Sequence, residues 1–116
     1  MQTPIIVLGL AALGGATMAG IRLSGTPRPP TWLALAHGLI AAVGLVMLGN
    51  VWMQYGIPWM AQVSFGLFIL AALGGAAMFF GYHLRGLPLP ITFVLGHGLT
   101  AVAAYLLLVS EYFKGV

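Results

Sequence analysis

The chain has 116 residues, 61% of them hydrophobic and 4% charged, and a mean hydropathy of +1.08. That leaves too little polar surface to coat a water-soluble globule and points to an integral membrane protein. The net charge of +3 comes from Arg22, Arg28, Arg85 and Lys114 against Glu111. Scarce acids, not a basic face, raise the isoelectric point, so nucleic-acid binding has no electrostatic footprint. There is no cysteine, which excludes thioether-attached haem, iron–sulfur clusters and disulfides.

In chain order, the first apolar segment runs from Ile5 to Ile21. Met1-Gln2-Thr3 before it has no positive side chain, and the same apolar run recurs deep in the chain, so this segment is expected to be a retained span and not a cleaved leader. A loop with Pro27, Pro29 and Pro30 leads to a second segment, Thr31 to Val51. Gly56-Ile57-Pro58 precedes a third, Trp59 to Tyr82, and Gly86 with Pro88 and Pro90 precedes a fourth, Ile91 to Ser110. Each approaches the roughly 20 residues that cross a bilayer. Short connections make neighbours antiparallel, so the expected fold is all-α, four transmembrane helices in an up-down bundle. Trp32, Trp52, Trp59, Tyr55, Tyr82 and Tyr112 fall near the segment ends, where amphipathic rings meet headgroups. Arg22, Arg28 and Arg85 all fall at the first and third loops. The positive-inside rule then puts both termini on the non-cytoplasmic side, as expected for a bacterial cytoplasmic membrane.

The chain is written twice. Leu10 to Ala16 recurs identically as Leu70 to Ala76, and His37-Gly38-Leu39 as His97-Gly98-Leu99, both at an offset of 60. Residues 1–56 and 57–116 thus form two tandem helical hairpins. A hairpin has an even number of spans, so the copies enter the membrane alike and a pseudo-two-fold axis along the membrane normal is expected. Outside the identical blocks the offset drifts to 61, which aligns Gly20 with Gly81, Arg22 with His83, Gly25 with Gly86, Pro29 with Pro90 and Thr31 with Thr92.

Depth gives this duplication a chemical meaning. His37 lies about six residues inside the second span, roughly 9 Å below the interface at the helical rise, and His97 occupies the same place in the fourth. Gly14-Gly15 and Gly74-Gly75 share that layer on the first and third helices. Ala41 and Gly44 follow His37 on one helix face, as Ala101 and Ala104 follow His97, and small residues there allow close approach of backbones or of a flat ligand. A symmetric pair of neutral imidazoles on diagonal helices suits axial ligation of a b-type haem and hence electron transfer. In that reading the glycine pairs admit the porphyrin edge, and Arg22, His83 and Arg85 pair with the propionates. Met18 and Met78 are also repeat-related and lie about a turn from the glycines, but such residues more often fill a core.

Other classes lack their chemistry. There is no Asp and the single Glu lies beyond the last span, so no carboxylate pair serves acid–base work and no intramembrane acid couples export to protons. A second reading remains: a cofactor-free accessory subunit packing on a larger respiratory or photosynthetic membrane complex, its histidines structural or in contact with quinone. Membrane lipids, neighbouring membrane subunits or further copies of the chain are the expected partners, and quinone or bound lipid the expected alternatives to haem.

Overall fold

A computed structural model describes residues 1–115. Four helices account for most of the chain: α1 (Gln2–Leu23), α2 (Thr31–Tyr55), α3 (Trp59–Met78, continued by a π-helical turn over Phe79–His83) and α4 (Ile91–Lys114), with no strand among the described residues. All four are long and apolar enough to cross a membrane. The molecule measures 43 × 20 × 18 Å, so its long axis matches a bilayer with its headgroup regions, about 40–45 Å. The helices overrun the expected segments, reaching Gln2, Tyr55 and Lys114, because backbone hydrogen bonding continues past the apolar stretch into the interfacial layer.

Proline sets the helix starts. Pro30, Pro58 and Pro90 stand immediately before α2, α3 and α4, where a missing N–H costs nothing and φ is already near the helical value. Each loop turns at a glycine of positive φ, Gly25, Gly56 or Gly86, a conformation that a side chain resists. These tight connections make the bundle up-down. α1 packs along α2 and α3 along α4, and the hairpins meet through α1 against α4 and α2 against α3, which leaves α2 and α4 on a diagonal.

The interior holds two separate hydrophobic clusters. Leu8, Leu48, Phe68, Ala104 and Leu108 fill the half that contains the α2–α3 loop. Small residues are required there: a Cβ on Gly44 would sit 2.7 Å from Leu8 Cδ2. Ser64, fully buried, donates to the Ala104 carbonyl at 2.6 Å, so its hydroxyl is satisfied in an apolar setting. Met78, Leu89 and Val94 form the second cluster, near the opposite end. Large apolar residues such as Leu13, Leu39, Val46, Leu73 and Leu99 face outward, as lipid contact demands.

The first and third loops lie together. Leu89 N–H donates to the Pro27 carbonyl at 3.1 Å, Arg22 Nε to the Leu89 carbonyl at 2.8 Å and Arg28 Nη1 to the His83 carbonyl at 3.3 Å. All three arginines are therefore at one end of the bundle. Buried Glu111, paired with Lys114, is at the other.

The drift in the sequence offset has a structural cause. At the end of α1, Gly25 N–H donates to the Arg22 carbonyl and Thr26 to Ile21. At the end of the third span, Gly86 donates to His83 and Leu87 to Tyr82, the same turn displaced by 61. Between the identical block and this turn, Leu84 N–H reaches the Phe79 carbonyl five residues back at 2.9 Å. The π-turn thus absorbs one extra residue without breaking the helix. The following loop gives that residue back, since the prolines that start α2 and α4 are Pro30 and Pro90. The return to 60 comes one step earlier than the alignment of Pro29 with Pro90 implies.

Candidate functional site

Between the two clusters lies the histidine layer. His37 Nδ1 is 2.8 Å from the Ala11 carbonyl of α1, and His97 Nδ1 is 2.7 Å from the Ala71 carbonyl of α3. A carbonyl only accepts, so each Nδ1 carries the proton and donates. In the neutral ring the lone pair is then on Nε2, which points away from the carbonyl. Neither Nε2 has a hydrogen-bond partner among the described residues.

The repeated glycine-rich block explains how the rings come so close to a backbone. Ala11 and Gly15, like Ala71 and Gly75, are four residues apart and share a helix face. A Cβ on Gly15 would lie 2.9 Å from His37 Cε1, and one on Gly75 would lie 3.0 Å from His97 Cε1. The glycines therefore make room for the imidazole of their own hairpin, whereas the sequence suggested room for a flat ligand. Gly14 and Gly74 are less constrained; their Cβ positions come no nearer than 3.8 Å and 4.0 Å to the same histidines.

The diagonal placement brings the two anchored rings together. Their centroids are 6.1 Å apart and their planes nearly perpendicular, at 81°. No group of three or more His, Cys, Asp or Glu gathers anywhere among the described residues. His37 and His97 thus stand as a pair with no third such side chain beside them among the described residues.

The other candidates are dispersed. Met78 packs with Leu89 and Val94 in the second cluster, as core filler does, and Met18 is half-buried on α1. Arg22 is held through Nε by the Leu89 carbonyl, and Arg85 is exposed. His83 is buried, stacks on Phe79 with ring centroids 5.3 Å apart, and lies with Nε2 3.0 Å from Thr31 Oγ1. Arg28 and Thr31, which sequence reasoning passed over, gather around it. The single available signal was the extra residue before His83, whose effect is to carry that side chain inward. Compared with known proteins, the chain matches no family model, no curated protein and no solved structure.

Proposed function

We propose that this chain is a small integral membrane b-type haem protein that transfers electrons, with His37 and His97 as axial ligands through Nε2. The observation that carries the reading is the pair of carbonyl-anchored imidazoles 6.1 Å apart. Two metal–nitrogen bonds of about 2 Å, with about 1.1 Å from each nitrogen to its ring centre, put the centroids of a trans bis-imidazole complex about 6 Å apart. A direct imidazole–imidazole hydrogen bond of about 3 Å brings centroids to about 5 Å, and no such bond joins these rings among the described residues. The 6.1 Å separation matches such a complex and is longer than a direct hydrogen bond allows; edge-on packing of two free rings spans the same range, so the presence of pigment decides between ligation and simple packing.

The surroundings support the same role. Donation from Nδ1 to a backbone carbonyl fixes the tautomer and orients the ring, as partners of metal-bound histidines do. A haem held by His37 and His97 would supply one-electron redox chemistry there. Arg22 and Arg85, at the end nearer the histidines, supply positive charge for the propionates; His83, engaged with Thr31, is left out of that role. With almost no mass outside the membrane, the chain would exchange electrons with lipid-dissolved quinone or a neighbouring membrane subunit of an energy-converting membrane. The membrane is proposed to be a bacterial cytoplasmic one, and the distribution of arginines supports an orientation with both termini outside.

The test is a reduced-minus-oxidised visible spectrum of the purified chain, with haem counted per polypeptide. One haem per chain with a b-type alpha band is expected, lost in both His37→Ala and His97→Ala. A folded chain purified from haem-replete cells without pigment would leave only the cofactor-free accessory subunit.

A further inference from the structure

The third histidine stands outside the proposed haem site, and its setting is of another kind. His83 is 5% exposed, and its Nδ1 is the one buried side-chain polar atom without a partner among the described residues. An orphaned N–H is rarer in proteins than an unfilled acceptor, so the proton belongs on Nε2, which donates to Thr31 Oγ1 3.0 Å away. That leaves the Thr31 hydroxyl proton to find an acceptor. Thr17 and Thr100 give theirs to the carbonyl four residues back, Leu13 and Gly96. Thr31 begins α2 and has no such helical carbonyl behind it.

The open direction is a cavity of about 480 Å³ between the α1–α2 loop and His83, with Thr26, Arg28, Thr31 and His83 as its polar wall. No side chain caps the helix, and while Leu33 and Ala34 donate to the Pro30 carbonyl, the Thr31 and Trp32 N–H groups have no protein acceptor among the described residues. Arg28 uses Nη1 on the His83 carbonyl and keeps its remaining N–H groups for the cavity. The chain's one acidic side chain, Glu111, is at the far end of the bundle. A helix N-terminus, a guanidinium and a hydroxyl whose oxygen already accepts from a buried imidazole all donate into one space, with no acid to compensate. That is the donor set of an oxyanion site.

We propose that this cavity binds a phosphate group, presented by a phospholipid headgroup or by free phosphate, with Thr31 and Arg28 as its direct donors and His83 as the residue that positions Thr31. The pocket lies at the arginine-bearing end, level with the headgroups when the spans are embedded. The site needs no haem.

Native mass spectrometry of the full chain, released from nanodiscs of phosphatidylcholine and phosphatidylglycerol, tests this. The wild type is expected to retain one phospholipid. Arg28→Gln and Thr31→Val should each lower the retained fraction about tenfold, as loss of a charge-assisted or helix-terminal donor does. Thr31→Ser should restore it, and Ser24→Ala, at the same end of the bundle but outside the cavity, should leave it unchanged. Displacement by inorganic phosphate identifies the free ion as a ligand, and resistance to it identifies the headgroup. Adducts unaffected by Arg28→Gln and Thr31→Val, or lost equally with Ser24→Ala, would overturn the proposal. Helix content from circular dichroism guards against misfolded variants, and pigment is not read in any arm.

Discussion

At the level of single residues, the glycines show how little of a site a residue type discloses. A missing Cβ in an apolar helix serves a ligand or a neighbouring side chain equally well. Here Gly15 and Gly75 serve the imidazoles, because the carbonyl each ring must reach is one helical turn away on the same face. The two members of each glycine pair should therefore respond differently to alanine. A methyl 2.9 Å from His37 Cε1 must push the ring off the Ala11 carbonyl, so Gly15→Ala should lose most of its pigment and about 1–3 kcal/mol of stability. Gly14→Ala, whose methyl meets only ordinary contacts at 3.8 Å, should keep its spectrum and thermal midpoint. Equal responses would mean that the packing against His37 is not what selects glycine. Ser64 gives a smaller effect: removing its hydroxyl by Ser64→Ala leaves the Ala104 carbonyl its helical partner, so a loss of about 0.6 kcal/mol is expected in a detergent unfolding assay.

At the level of elements, the spans were legible because lipid permits only runs of about 20 apolar residues closed by helical hydrogen bonding. Their proline starts and glycine turns were equally plain. The π-turn was visible only as an offset that slipped from 60 to 61, since one added residue can be taken up by a loop as easily as by a helix. The structure puts it in the helix, between Phe79 and His83, and this turns His83 under the α1–α2 loop where its counterpart Arg22 stays half-exposed. Deleting Phe80, an exposed residue of that turn, should convert it to α-helix and rotate His83 away from Thr31. The bundle is expected to fold with unchanged helix content and pigment, yet to lose phospholipid retention. Loss of the fold instead would show that the π-turn is structural. Contacts such as Arg28 with His83 join residues 55 apart and leave no local trace in the sequence.

At the level of the whole molecule, two hairpins place equivalent histidines on diagonal helices and divide the core into two clusters around them. Duplication made the histidine pair conspicuous, but that the rings face each other depends on helix rotation, which hydrophobic periodicity cannot fix when every face is apolar. Orientation in the membrane has a clean assay because the chain has no cysteine. In spheroplasts, Gln54→Cys, in the α2–α3 loop region, should react with an impermeant maleimide, whereas Ser24→Cys, at the arginine-bearing end, should react only after lysis. The reverse pattern would invert the topology. The central claim, that both imidazoles hold one iron, is tested most directly by electron paramagnetic resonance of the oxidised, purified protein. A low-spin ferric signal of large anisotropy is expected, reflecting ring planes 81° apart, and it should become high-spin when either His37 or His97 alone is replaced by alanine. A low-spin signal that survives both single substitutions, or a folded chain with no ferric signal, would contradict the account.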